Sequence, residues 1–451
     1  MSRFISSPAQ SGKEGLPEAV AAALNDWLPE RLTKSGIPGA AVAVVDKHGA
    51  VWQRTFGNLD CPGSPRVDSE TLFCVRSLAK GVTAMAVLVA VQEGLVALDT
   101  PIKEYLPEFT IHSRFDPHPE QVITLRHLLA HRAGFTHEAP LGNNLDDPDY
   151  DLDASDYFEK HIETISATWL RFPVGYQYAY TNLDFDLAGY ILQVCSGIPF
   201  ARYVKERVLD RIGMTSSSYD MELIERSVNR AIGHAPNGKI EPLRCPEMPA
   251  AGLYSNVPDM AKYIQFHLGS GAVGDVQILC QDLMRQFRTI QFARPNQQTG
   301  YCFGIFRQLI GSTFSFSHSG GGNGFQSQVI VYPELGFGVL LLTNKDGHGL
   351  TEAPSQKIVD DLVRERLGQT PVFEPGIERM MKLPSDDPRI QSILGRYWDG
   401  DNWIIEIENG VIGLRTNSQD FYPLTLAMIF VSAAPLLSAT KSGMVGTAKL
   451  T

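Results

Sequence analysis

The sequence predicts an α+β fold: one antiparallel β-sheet flanked by helices, an inserted all-helical lobe, and a small C-terminal β-rich extension. Three observations carry this expectation. Runs with β period stand at both ends of one long segment, Gly39 to Phe56 and Phe303 to Leu342. Between them, from 155 to 270, helical patterns dominate. Pro371, Pro375, Pro384 and Pro388 then separate this segment from a new pair of β-like runs. A sheet built from both ends, with helices between, is the simplest way to bury all of these apolar faces. The expected domains are a flexible leader over 1–16, a main domain over 17–370 with its helical lobe at 90–285, and the extension over 371–451.

In chain order, Gly39 to Val45 and Val51 to Phe56 are joined by Asp46-Lys47-His48-Gly49, which predicts a hairpin. Ser77 to about Val96 is rich in Ala, Val, Leu and Met, and predicts a long helix buried nearly all round. Thr124 to Leu129 predicts a short capped helix that ends near Gly134. The stretch 136–156 carries Asp146, Asp147, Asp149, Asp151, Asp153 and Asp156. It reads as a solvated acidic loop, because a calcium loop from Asp149 needs Gly at 154 and Glu at 160, where the chain has Ala154 and Lys160.

Leu183 to Cys195 and Phe200 to Leu209 are the clearest helical patterns of the middle region. Phe303 to Ile310, Thr313 to Ser317, Ser327 to Tyr332 and Gly338 to Leu342 predict successive antiparallel strands, and Thr351 to Leu367 a helix. Beyond the prolines, Trp403 to Glu408 and Val411 to Arg415 flank Asn409-Gly410, a type I′ hairpin signal. Ser438 to Thr451 reads as unstructured.

With 43% hydrophobic and 20% charged residues among 451, the chain has material for a large core, which excludes wholesale disorder. The 39 Lys+Arg against 50 Asp+Glu leave a net charge of −11. That balance argues against nucleic acid or an anionic membrane as partner. Met1 to Gly15 lacks the apolar core of an export signal, and Leu424 to Leu437 is too short to span a bilayer and holds Pro435. A soluble, cytoplasmic protein is expected. Cys61, Cys74, Cys195, Cys245, Cys280 and Cys302 form no C-x-x-C pair, a pattern that suits reduced thiols.

The strongest chemical signal is Ser77-Leu78-Ala79-Lys80 at the front of the apolar helix. Positions i and i+3 share a helical face, so Ser77 Oγ and Lys80 Nζ can meet there. Lys80 lies among Leu78, Val82, Ala84 and Met85, so it is expected to be buried, and burial that lowers its pKa would let the amine take the serine proton. The helix N-terminus supplies N–H groups and a positive dipole end for a developing oxyanion. The second signal is Tyr180-Thr181-Asn182, after the Gly175 turn and before a helix. A phenol needs a nearby cation to act as a base, and Lys80 is the candidate; Tyr176 and Tyr178 compete for the role. The bland alternative is a packing aromatic with an N-cap Asn182.

The third signal is His318-Ser319-Gly320-Gly321-Gly322-Asn323-Gly324, directly after a strand pattern. Such a run lets a substrate approach the backbone and frees N–H groups for it. Nucleotide binding is disfavoured, since the spacing is not G-x-G-x-x-G and a strand follows. There is no G-x-S-x-G elbow and no H-E-x-x-H. His127 and His131 stand i, i+4, a possible metal pair that is more often structural; Cys74, one turn before Ser77, reads as a buried thiol.

Taken together, the order of S-x-x-K, Y-x-N and H-x-G resembles the serine β-lactamase and penicillin-binding-protein superfamily. The closest resemblance is to class C β-lactamases, family VIII carboxylesterases and D-stereospecific aminopeptidases. It covers about residues 20–365. Leu98-Asp99 through Tyr105-Leu106-Pro107, Leu125-Arg126-His127-Leu128-Leu129 and Ala251-Gly252-Leu253-Tyr254-Ser255 also look like that family. The resemblance implies a β-lactamase/transpeptidase-like fold. It implies an acylated nucleophile at Ser77, base and acid work shared by Lys80 and Tyr180, and a substrate-holding Asn182. The N–H groups of Ser77 and Gly321 would form the oxyanion hole, next to Gly320.

His318 departs from the family, because many β-lactamases carry lysine there. Histidine, with a reference pKa of ~6.5, is mostly neutral at pH 7 and is a weaker anchor for a substrate carboxylate. That favours neutral small-molecule esters or amides. Hydrolysis of small carboxylic esters is the leading expectation. β-Lactam, D-amino-acid amide or peptide hydrolysis and acyl transfer are alternatives on the same fold, and a non-catalytic binding protein is a third reading. No cofactor or metal is expected, and the oligomeric state stays open.

Overall fold

A computed structural model of the chain describes residues 18–137, 139, 156–238, 247–293, 297–310 and 313–348, and four strands between 395 and 423. The chain divides into two compact units, Met1–Pro371 and Val372–Thr451.

The first unit opens with helix α1 (Glu18–Lys34), where Leu24, Leu28 and Leu32 recur every four residues and are buried. Strands β1 (Gly39–Asp46) and β2 (Gly49–Gly57) form the expected hairpin. Its turn is set by Asp46, whose Oδ1 accepts the N–H groups of His48 (2.7 Å) and Gly49 (3.1 Å). The remaining strands of the sheet come some 240 residues later, after the helical insertion. They are β3 (Gly300–Tyr301), β4 (Phe306–Ile310), β5 (Thr313–Gly322), β6 (Phe325–Tyr332) and β7 (Phe337–Thr343).

The seven strands stand in the order β2-β1-β7-β6-β5-β4-β3, antiparallel throughout. Ala40 pairs with Thr343 and Asp46 with Phe337, so the first hairpin closes onto the last strand. This is the mixed α and β architecture that the sequence predicts. Residues 40–45 of β1 are all buried, which explains why Ala-Ala-Val-Ala-Val-Val does not alternate.

The insertion carries the helices that matter for the site: α2 (Ala79–Gln92), α3 (Leu125–Leu129), α4 (Tyr157–Ile165), α5 (Asn182–Ser196), α6 (Met248–Ala251) and α7 (Val257–Leu268). Helix α7 is capped by Asn256, whose side chain accepts the Asp259 N–H at 3.0 Å, and it packs on β1, β2, β6 and β7. Every α2 residue from Ala79 to Ala90 is buried, as a helix without a polar face must be. It ends at Gln92 rather than Val96, because Gly94 takes a left-handed φ of +75°. Phe200–Val204 continues through a π-helical turn at Lys205–Leu209 into Asp210–Ile212.

Strand β5 is longer than the pattern Thr313 to Ser317 and runs on through the glycines. The chain reverses only at Asn323-Gly324, both with positive φ (+47° and +76°), a two-residue primed turn.

The second unit holds a four-stranded antiparallel meander: β8 (Gly395–Trp398), β9 (Asn402–Glu408), β10 (Val411–Arg415) and β11 (Phe421–Pro423). Glu408 pairs with Val411, the register of the predicted hairpin, although Asn409 and Gly410 themselves lie outside the described residues. So do the leader 1–16, nearly all of the acidic loop, Cys245, Thr351 to Leu367, the proline cluster, Leu424 to Leu437 and Ser438 to Thr451. Among the described residues, no helix is long and apolar enough to cross a membrane.

Candidate active site

Ser77 lies in a 3₁₀ turn, Arg76–Leu78, that leads into α2. Between residues 71 and 90 it is the one residue that is not buried. The turn is entered through Arg76 in a left-handed conformation, φ +49°, an uncommon state for a residue with a Cβ. Strand β5 runs directly against this turn. A Cβ on Gly320 would overlap the Val75 carbonyl oxygen and Ser327 Oγ, and would stand 2.9 Å from Arg76 Cβ. Ser327 Oγ, on β6, donates to that same Val75 carbonyl at 2.6 Å. Gly320 is therefore a close-approach position, whereas a Cβ on Gly321 would meet nothing nearer than Gln326 Cγ at 3.9 Å.

Lys80 is fully buried one turn along, with Nζ 3.0 Å from Ser77 Oγ. Its other acceptors are Asn182 Oδ1 at 2.6 Å and the Ala250 carbonyl at 3.2 Å. As an ammonium, Lys80 fills all three with its three N–H bonds. As a neutral amine it keeps the two carbonyl-type acceptors and turns its lone pair to Ser77 Oγ. Nζ also stands 4.8 Å from the centroid of the Tyr180 ring.

Helix α5 fixes these partners from its first turn. Its N-cap is Thr181, whose Oγ1 accepts the Leu183 N–H at 3.1 Å, and not Asn182 as the bland alternative had it. Asn182 is freed to face Lys80, and its Nδ2 donates to Glu247 Oε1 at 2.8 Å. Glu247 in turn pairs with Arg76 at 3.7 Å, both side chains less than a tenth exposed. Asp186 Oδ1 accepts the Ala250 N–H at 3.0 Å and so holds the carbonyl that meets Lys80; its other oxygen lies 3.0 Å from His161 Nε2 of α4. Asp184 Oδ2 lies 3.0 Å from His131 Nδ1, both side chains wholly buried. Burial pushes the Asp184 carboxyl well above the carboxylate range and the His131 imidazole well below its own.

His131 ends the short helix early. Helix α3 is closed at its front by a capping box between Thr124 and His127, and it stops at Leu129, because His131 is left-handed with φ +54°. His127 and His131 therefore do not share a helical face, and Nδ1 of each ring faces a protein partner, Thr124 for His127 and Asp184 for His131. This corrects the metal-pair alternative. Among the described residues, no three His, Cys, Asp or Glu side chains converge as metal ligands. Cys74 is buried, with Sγ 3.4 Å from the Ala251 carbonyl.

His318 sits on β5 with its ring 6.1 Å from that of Tyr180. Its Nδ1 meets the Ser319 carbonyl at 2.6 Å and must carry the proton, and the neutral ring's Nε2 accepts from Tyr301 O–H at 3.1 Å. Both ring nitrogens are thus engaged within the protein. Burial, with Lys80 nearby, lowers its pKa to about 3. Tyr301 extends into an aromatic wall: its ring lies 5.4 Å from Tyr178 and 4.7 Å from Phe306, and the latter two are each more than a third exposed. Tyr176, the other competitor of Tyr180, points to solvent at 65% exposure.

The structure brings Ser77, Lys80, Tyr180 and Asn182 together at the front of α2, with Gly320 packed on the turn that bears Ser77. Sequence reading missed Arg76, Asp184, Asp186, Glu247 and Tyr301, and weighed His131 only as half of a metal pair or a structural histidine. For the two aspartates a signal existed, since Asn182, Asp184 and Asp186 interrupt an otherwise apolar helix at every second position.

An antiparallel sheet with a helical insertion, and a serine hydrogen-bonded to a buried lysine at the front of the central helix, mark the serine hydrolase superfamily of the β-lactamase and transpeptidase fold. The chain belongs to the beta-lactamase family: a family model of that description matches residues 24–362. It is 24% identical over 410 residues to beta-lactamase-like protein 2 of Dictyostelium discoideum, covering 88% of this chain and 71% of that one. It is also 24% identical over 319 residues to protein flp of Staphylococcus aureus (strain N315); the match takes in 69% of this chain and 61% of the relative's length. Two solved structures share the fold. The octameric penicillin-binding protein homologue from Pyrococcus abyssi has a TM-score of 0.64 at 21% identity, with 89% of each chain covered. SurE, determined with D-Leu, has a TM-score of 0.66 at 18% identity, with 91% and 90% covered.

Proposed function

We propose that the protein is a carboxylesterase: a serine hydrolase that acts on small neutral esters through an acyl-enzyme on Ser77. The observation that carries this reading is the 3.0 Å contact between Lys80 Nζ and the half-buried Ser77 Oγ. Ser77 Oγ attacks the ester carbonyl carbon while its proton passes to Lys80 or Tyr180. The N–H groups of Ser77 and Gly321 receive the oxyanion. The bond to the alcohol breaks, the alcohol leaves with the transferred proton, and the acyl group stays on Oγ. Water then repeats the attack, releases the acid and restores the Ser77 hydroxyl.

A neutral substrate is supported by the charges beside the serine. Arg76 is paired with Glu247, and His318 is held neutral with both nitrogens occupied. Tyr178 and Phe306 add exposed aromatic surface near His318 and Tyr180, suited to an apolar substituent. The free thiols of Cys61, Cys74, Cys195, Cys280 and Cys302 suit the reducing, cytoplasmic setting we assign.

The test is hydrolysis of p-nitrophenyl butyrate by the wild type and Ser77→Ala. The expected loss on substitution is ~10³-fold or more. Equal activity of the two proteins refutes Ser77 as nucleophile. An inactive wild type refutes the ester reading and turns the search to D-amino-acid amides, β-lactams and acyl transfer, the last read out as a new ester when an alcohol is added.

A further inference from the structure

Tyr180 is gripped from three sides by one residue. The N–H before it, on Ala179, donates to the His131 carbonyl at 2.9 Å, and the N–H after it, on Thr181, approaches His131 Nδ1 at 3.4 Å. The imidazole itself lies against the phenol ring, centroids 4.4 Å apart. His131 is in turn held by Asp184 at 3.0 Å, from the first turn of the helix that Tyr180 leads into. Neither His131 nor Asp184 is exposed at all, so neither reaches a substrate. Among the described residues, His131 Nε2 and Asp184 Oδ1 have no hydrogen-bond partner, a cost that two apolar side chains packed here would not incur.

We infer that His131 and Asp184 form a positioning pair that fixes where Tyr180 presents its hydroxyl to Ser77 and its leaving group. The inference rests on the proposed proton-transfer role of Tyr180. General acid–base transfer demands hydrogen-bond reach, and a displacement of about 1 Å costs up to ~10²-fold in rate. Loss of the grip therefore lowers kcat while ground-state binding, and KM with it, stays nearly the same.

The experiment measures kcat and KM with p-nitrophenyl butyrate for Asp184→Ala, Asp184→Asn, Tyr180→Phe and the Asp184→Ala/Tyr180→Phe double variant, with Ser77→Ala as reference. Asp184→Ala is expected to lose about 10- to 100-fold in kcat with KM within about twofold. Asp184→Asn keeps a hydrogen-bonding group at Nδ1 and is expected to stay within about threefold of wild type. In the Tyr180→Phe background Asp184→Ala is expected to cost nothing further, because a residue that acts through Tyr180 has no effect once the hydroxyl is gone.

Should Asp184→Ala not fold, His131→Asn replaces it. Asparagine tolerates the left-handed backbone at 131 but removes the ring beneath Tyr180, and the same loss in kcat and the same absence of a further loss in the Tyr180→Phe background are expected. Independent, multiplying losses in the double variant overturn the inference, as does a folded Asp184→Ala or His131→Asn with wild-type kcat. Full activity in Ser77→Ala overturns the esterase reading and this inference together, whereas full activity in Tyr180→Phe with Ser77→Ala inactive overturns this inference alone. Losses there beside an unaffected positioning variant overturn this inference alone.

Discussion

Glu247 holds the amide of Asn182 in one orientation. Its Oε1 accepts the Nδ2–H at 2.8 Å, which leaves the Asn182 carbonyl oxygen aimed at Lys80. The other carboxylate oxygen of Glu247 faces Arg76, so a buried ion pair stands directly behind the group that holds the lysine.

Removal of one member of this pair takes from the other the opposite charge it faces in a buried setting. Glu247→Ala is expected to destabilise the fold by about 3–5 kcal/mol, and replacement of both Arg76 and Glu247 by methionine to recover at least half of that loss. Urea denaturation of the single and double variants measures both. A single variant that costs under about 1 kcal/mol would show that the pair contributes no such constraint.

The two central glycines of the β5 run differ in what they tolerate. Gly320→Ala puts a methyl group into the Val75 carbonyl and Ser327 Oγ, and forces β5 away from the turn that carries Ser77. Gly321→Ala meets only a contact at 3.9 Å and keeps its N–H. The expected loss in kcat/KM for Gly320→Ala is ~10²-fold, the cost of a displacement of about 1 Å in a reacting geometry, while Gly321→Ala stays within a few-fold. The reverse ranking in an ester assay would show that the steric demand at this turn does not set the activity.

The residues that carry local signals were the ones legible in the sequence. Ser77 and Lys80 are linked by helical spacing, Tyr180 and Asn182 by their place at a helix entrance, and Gly320 and Gly321 by composition. The hairpin at Asp46 to Gly49 and the long apolar helix were legible for the same reason, because turn chemistry and side-chain period act over a few residues. What escaped is long-range. Lys80 meets Ala250 across 170 residues and Glu247 meets Asn182 across 65, and no local pattern encodes either distance. The length of β5 escaped because glycine is a poor strand former, and here a close approach to Val75 and Arg76 overrides propensity.

A charge at position 318 should change which substrates turn over. His318→Lys removes a neutral ring locked between Ser319 and Tyr301 and supplies an ammonium that can pair with a substrate carboxylate. The ratio of turnover for carboxylate-bearing esters to that for neutral ones is expected to rise roughly tenfold, the worth of one charge-assisted hydrogen bond of about 1.5 kcal/mol. Hydrolysis of a monoester of a dicarboxylic acid, set against a neutral ester of equal length, gives that ratio. An unchanged ratio would remove His318 from the determinants of specificity.

The neutral His318 also links stability to pH. In the folded protein burial and Lys80 hold its pKa at about 3, whereas the unfolded chain has the ordinary value of about 6.5. Acid therefore protonates the unfolded state first. The contribution of this group is fully present above pH 6.5 and is lost progressively as pH falls toward 3. Between pH 7 and pH 4.5 the wild type should lose ~2–3 kcal/mol through this one residue. Asp184 works in the opposite direction, because its raised pKa lets the folded state keep a proton that the unfolded chain gives up. The comparison that isolates His318 is therefore the pH dependence of wild type against His318→Gln, by urea denaturation at both pH values. The variant should show a stability loss toward acid that is smaller by about that amount, and identical pH dependence in the two proteins would mean that the ring takes up its proton in the folded protein as readily as in the unfolded chain.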